Sequence, residues 1–138
     1  MEVNMTSRKK SQFRLLILAL LICALFFPAN GADILIFIQV SPSVLNLQNN
    51  GQVVTVHTNI AYSAVVASSV SLNDVTISSY KADNRGFFVA KFLIDDIKGL
   101  PLDIGELNTL SLEGSTKTGD LFFGTQDILV IDVFQNGK

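Results

Sequence analysis

One histidine, His57, is the only imidazole in the 138-residue chain, and Cys23 is its only cysteine. A histidine working as a general base needs a nucleophile or water in reach and an acid to orient its ring. No Gly-x-Ser-x-Gly motif marks such a nucleophile. A zinc site would have to add several carboxylates to that one imidazole. His57 is therefore expected to be an ordinary strand residue beside Thr55. The acidic side chains are a better start. Asp95 and Asp96 are adjacent, and Asp103 and Glu106 follow closely. Oxygen-rich loops of this kind are candidates for Ca²⁺, which takes about six to eight oxygen ligands. Their spacing does not follow the twelve-residue calcium loop with its final Glu. The same Asp95-Asp96 pair also suits the start of a short helix, with Asp95 as N-cap and Gly99 as C-cap. Asp74, Asp83 and Asn84 fall in turn-like stretches, where such side chains bond to their own backbone. Ca²⁺ at Asp95, Asp96, Asp103 and Glu106 is thus the one cofactor the sequence raises, and no enzymatic activity is expected.

Aromatic side chains are the remaining chemistry. A row of exposed rings on a flat face stacks sugars or anchors a protein partner. Tyr62, Phe87, Phe122 and Phe123 are the candidates for such a binding face. The chain has no Trp, the residue best suited to sugar stacking. Phe88 and Phe92 share one side of a strand, which is core periodicity. In a regular strand, either Phe122 or Phe123 must point outward.

These residues need elements to hold them. Residues 1–14 carry Arg8, Lys9, Lys10 and Arg14, and residues 15–27 are apolar throughout. Pro28 follows, then small residues at Ala29 and Gly31. A basic start, a short apolar centre and a small-residue exit make a secretory signal peptide over residues 1–31. Thirteen apolar residues fall short of the roughly 20 that span a bilayer, although an uncleaved amino-terminal anchor is the alternative. Cleavage after Gly31 would leave 107 residues with 6 basic and 11 acidic side chains, net −5, and no cysteine. Such a chain is expected in a secreted or periplasmic setting, without disulfides and without membrane attachment once the signal is removed. Its negative charge disfavours nucleic acid as a partner. An exported protein or a surface glycan is the partner class that remains.

Residues 32–138 read as one all-β domain. Val, Ile and Thr are abundant, and turn residues recur at short spacing. Residues 34–40 form a nearly continuous apolar run, expected to be one strand buried on both sides. Residues 52–59 alternate, with Val54, Val56 and Thr58 on one side. Residues 75–80 alternate as a further strand, and residues 87–94 place Phe88, Ala90, Phe92 and Ile94 together. Strands over residues 109–116 and 121–133 flank the tight turn at 117–120, the second with a kink at Gly124. Seven to eight short strands of this kind need two packed layers. The expected fold is a two-layer β-sandwich, immunoglobulin-like or jelly-roll, with a small barrel as the competing closure.

The motifs Val40-x-Pro42, Leu45-Asn46-Leu47 and Gly51-x-Val53-Val54-Thr55-Val56 open the domain. Val70-x-Leu72-Asn73-Asp74 and Ala90-Lys91-Phe92 follow. Leu110-x-Leu112-x-Gly114 and Gly119-Asp120-x-Phe122-x-Gly124-Thr125-x-Asp127-Ile128-x-Val130-Ile131 close it. Over residues 36–131 this pattern resembles small β-sandwich modules of secreted and surface proteins in bacteria and archaea. The resemblance implies a sandwich fold and carries over no catalytic residue. Phe123 departs from it, standing where such modules usually have a polar or acidic side chain. The function expected is that of a non-catalytic exported module in structure, adhesion or protein interaction; the alternative is carbohydrate or calcium binding.

Overall fold

A computed structural model describes residues 32–136. The signal-peptide reading of residues 1–31 lies outside them. Ten strands form two sheets that pack face to face. β1 (Asp33–Leu35), β3 (Val44–Asn46), β5 (Val65–Leu72), β6 (Val75–Thr76), β9 (Leu107–Thr116) and β10 (Leu121–Ile131) make a six-stranded sheet. Its order is β1-β10-β9-β5-β6, with β3 also paired to β10. β2 (Ile38–Ser41), β4 (Val53–Ala61), β7 (Ser79–Ala82) and β8 (Phe87–Leu93) make a four-stranded sheet in the order β2-β4-β8-β7. A single short α-helix, α1 (Ile94–Lys98), lies between β8 and β9, and a 3₁₀ turn (Tyr62–Ala64) joins β4 to β5, among the described residues.

The core follows from alternation along each strand. Val54, Val56 and Thr58 of β4 and Phe88, Ala90 and Phe92 of β8 are buried between the sheets. Leu110 and Leu112 of β9 and Phe122, Ile128 and Val130 of β10 meet them from the other side. Thr58 is the one hydroxyl of β4 taken into this layer, and it donates to the Phe88 carbonyl at 2.6 Å. That bond offsets the cost of burying a polar group.

Two expected strands are each divided, which raises the count from seven to eight to ten. Residues 34–40 are not one strand buried on both sides. Ile36 and Phe37 carry the chain from β1 in one sheet to β2 in the other. Ile36 and Val40 are buried, whereas Leu35 is 71% and Phe37 80% exposed. The apolar run therefore has an inner Ile face and an outer face that reaches solvent. Asn59 supports the crossing, because its Oδ1 accepts from the Phe37 N–H at 2.9 Å. Residues 75–80 divide the same way. β6 pairs with β5, and β7 pairs with β8.

Turn chemistry closes the hairpins. Asn73 and Asp74 adopt φ of 45° and 66°, as a two-residue turn between Leu72 and Val75 requires. At the β7–β8 turn, Asp83 Oδ1 accepts from the N–H groups of Arg85 (2.8 Å) and Phe87 (2.9 Å). The Phe87 amide above all, with help from Arg85 and His57, holds the Asp83 carboxyl below the ordinary carboxylate range. A depressed folded-state value means a stabilising contribution that is complete above the unfolded value, near pH 4, and is lost as pH falls through the folded one. Asp83→Asn keeps an acceptor oxygen and removes the titration. Its urea midpoint is expected to fall less steeply than that of the wild type as pH drops below about 4. Equal acid slopes for the two proteins would show that Asp83 carries none of this dependence.

Candidate functional site

The four acids raised as calcium ligands occupy two separate local settings. Asp95 and Asp96 lie in the first turn of α1, where the helix dipole favours them. The N-cap is Leu93 rather than Asp95, and no side chain caps the turn. The reason is that β8 runs directly into the helix, so the buried Ile94 takes the first position. Asp103 and Glu106 belong to the loop before β9, which Asn108 organises. Asn108 Oδ1 accepts from the Asp103 N–H at 2.7 Å, and its amide donates to the Asp103 and Glu106 carbonyls at 2.9 and 3.0 Å. Among the described residues, no three or more His, Cys, Asp or Glu side chains are placed to hold a metal ion together. His57 is exposed on the outer face of the four-stranded sheet, opposite Gln39 and Val89.

The four candidate aromatics do not form one face. Phe122 is 1% exposed and belongs to the core, so it presents no exposed ring and only lies beneath the surface. The strand alternates there, and Gly114 on the neighbouring strand leaves room for the inward ring. Tyr62, in a 3₁₀ turn between β4 and β5, leans on Phe88 with ring centres 6.1 Å apart. Tyr80 of β7 completes the cluster at 6.0 Å from Phe88 and 6.3 Å from Tyr62. Together the tyrosines cover the end of the core beside edge strand β7. Phe87 faces the other way, under the Arg85 guanidinium at 5.3 Å from its ring centre. Only Phe123, 43% exposed, stands on the outer face of the six-stranded sheet.

That outer face has the most developed surface chemistry. The register lines up Leu35, Phe123, Glu113 and Ser71 across β1, β10, β9 and β5. The adjacent row holds Asp33, Leu121 and Ser115. Leu35, Leu121 and Phe123 are all exposed. Ser69, in the bulge of β5, accepts from the Ser115 N–H at 2.8 Å and donates to the Val66 carbonyl at 2.6 Å. Side chains of these rows line a groove of about 390 Å³. Farther along, Thr109 donates to Asp127 across the sheet at 2.6 Å. Beyond that polar band, Val44, Leu107 and Leu129 form a second apolar row. The face thus alternates apolar, polar and apolar bands along the strands.

Of this exposed surface, the sequence alone singles out Phe123 and not Leu35, Leu121, Asp33 or Glu113. The alternation of residues 109–116 and 121–131 contained half the signal. The other half is the parallel docking of β1 onto β10, which no local pattern announces.

The interior is satisfied around this surface. No buried side-chain N or O among the described residues lacks a hydrogen-bond partner. Asn46 secures the segment after β10, accepting from the Val133 N–H at 3.1 Å and donating to its carbonyl at 2.9 Å. Among the described residues, no helix is long and apolar enough to cross a membrane. In comparisons with known proteins, no family model, curated protein or solved structure matches the chain.

Proposed function

We propose that this protein is a non-catalytic, exported β-sandwich module that makes protein–protein contact through the outer face of its six-stranded sheet. The observation that carries the reading is the exposed pair Leu121 and Phe123 lining a groove flanked by Asp33 and Glu113, with the exposed Leu35 beside them in register with Phe123. Apolar side chains rimmed by polar ones are the surface pattern of an interaction site. The chemistry-bearing side chains elsewhere support it. Asp83 serves a turn, Asp95 and Asp96 start a helix, and His57 lies on an open sheet face. Export is inferred from the basic, then apolar, then small-residue order of residues 1–31.

Within the sandwich class we favour the immunoglobulin-like topology. The order β2-β4-β8-β7 corresponds to strands A, B, E and D, and β5-β9-β10 to C, F and G. Splitting the first strand between the sheets suits the same arrangement. A second reading, sugar binding in the same groove, is favoured by Phe123 lying beside Ser71, Ser115 and two carboxylates.

A photo-crosslinking amino acid at position 123, compared with one at position 50 in the exposed β3–β4 connection, tests the reading in cells. Position 123 is expected to yield protein adducts and position 50 far fewer, on a product found outside the cytoplasm with Ala32 at its amino terminus. Equal crosslinking at both positions would remove the assigned face. A cytoplasmic product retaining residues 1–31 would remove export. Loss of adducts on adding an oligosaccharide would favour the sugar reading.

A further inference from the structure

Charge is divided between the two sheets. The strands of the six-stranded sheet contain Asp33, Glu113 and Asp127 and no Lys, Arg or His. The strands of the four-stranded sheet contain His57, Lys81 and Lys91 and no Asp or Glu. Register places all of these on the outer faces. Lys81 and His57 both pair with Val89, and Lys91 pairs with Thr55, opposite in phase to the buried Ala90 and Phe92. Asp33 pairs with Leu121, Glu113 with Phe123 and Asp127 with Thr109, opposite in phase to the buried Phe122 and Ile128. Arg85, above Phe87, extends the basic side. The exceptions lie outside the strands, and they include Asp95 and Asp96 in α1 at the end of β8. Asp83 is turned into its own backbone amides, and Lys117 lies in the β9–β10 turn.

We propose that the protein stacks on further copies of itself, the basic outer face of the four-stranded sheet of one copy lying against the acidic outer face of the six-stranded sheet of the next. This rests on the protein-contact reading above and names the partner as a second copy of the chain. The charge of one face complements that of the other, so the front-to-back orientation is steered. Pairing two acidic or two basic faces sets like charges together, which is costly. Apolar groups are present on both sides: Leu35, Leu121 and Phe123 on the acidic face, Phe87 and the exposed Leu93 on the basic one. A contact between two different faces is heterologous. Each added copy leaves a free face at either end, so growth continues as an open stack unless the rotation closes it into a ring.

The protein is purified in the form in which cells accumulate it, and its mass is followed by light scattering as concentration rises. At about 0.01 M salt the screening length is about 30 Å, and at about 1 M it is about 3 Å. Mass is expected to grow past the dimer at low salt and to return to the monomer at high salt. K81E/K91E, with two acidic faces, and E113K/D127K, with two basic faces, are each expected to stay monomeric, with unchanged circular dichroism. Mixing the two is expected to restore assembly, because each offers what the other lost. Restoration also shows that both variants are folded. Wild type that is monomeric at both salts overturns the stacking; adducts of Phe123 with a different protein would leave the protein-contact reading standing. Growth that stops at a dimer, single variants that assemble alone, or a mixture that does not assemble overturns it as well.

Discussion

Phe122→Ala is expected to lower stability by about 3–5 kcal/mol, the range for truncating a buried aromatic ring. The ring is 1% exposed and fills the space above Gly114. With a urea m-value of about 1–3 kcal/mol/M, the unfolding midpoint falls by at least about 1 M. The converse change is informative. A Cβ at position 114 would lie 2.4 Å from the Phe122 Cζ, closer than atoms can approach. Gly114→Ala is therefore expected to cost about 1–3 kcal/mol by overpacking. Because the obstruction is the tip of a side chain, shortening that side chain relieves it. Gly114→Ala combined with Phe122→Leu is expected to cost less than the sum of the single changes, with a coupling of about 0.5–3 kcal/mol. Strict additivity in this double-mutant cycle would show that the ring does not rest on Gly114. Phe123, one residue away and facing solvent, provides the control. Phe123→Ala is expected to change stability far less while removing the centre of the proposed contact face.

The contrast between Phe122 and Phe123 shows what a single strand discloses. Alternation in residues 52–59 and 87–94 assigns Val54, Val56, Phe88, Ala90 and Phe92 to the core, and all five are buried. Period two is a property of the strand itself, so neighbours in sequence report it. The same logic requires one of Phe122 and Phe123 to turn outward, without deciding which. That decision belongs to Gly114, on the adjacent strand. Residues 34–40 fail as a single strand for a related reason. Their composition is compatible with burial on both sides, but the sheet change at Ile36 and Phe37 depends on Asn59 and on β10. Residues 61–69 are rich in small side chains, a composition compatible with a loop, a strand or a helical turn. Their bulged path is held by Ser69 bonding to β9, far away in sequence.

The candidate surface sits at the far end of this scale. Its members come from β1, β5, β9 and β10, and only the pairing register brings them together. Charge segregation was equally hidden. Along the chain, Asp33 of β1 precedes the basic side chains of β4, β7 and β8, and Glu113 and Asp127 of β9 and β10 follow them; they resolve into two faces only when the strands are sorted into sheets. A charge count over the whole chain averages this to −2. The physical consequence is a molecule with two oppositely charged faces, not one uniformly acidic body, and that distinction decides which way a partner can approach.

Gly124→Ala is expected to destabilise the protein by about 3 kcal/mol, at the upper end of the overpacking range. Its Cβ would fall 2.7 Å from the Ile36 carbonyl oxygen and 2.9 Å from Ile38 Cγ2. This is the point where the chain leaves β1 and crosses to β2. The nearer obstruction is backbone, and it is anchored by the Ile36 N–H donating to the Phe123 carbonyl at 2.9 Å. A side chain can be shortened to make room, but a carbonyl in the crossing strand cannot. Ile38→Ala, which removes Cγ2, is therefore expected to show little coupling to Gly124→Ala, unlike Phe122→Leu at Gly114. If the crossing gives way instead, β1 must separate from β10, taking Asp33 and Leu35 away from Leu121 and Phe123. Amide exchange at Ile36 is then expected to accelerate more than exchange in β4 or β8, and self-assembly at low salt to weaken with it. Unchanged exchange at Ile36 together with wild-type stability would mean that the crossing strand does not pass over Gly124 as described.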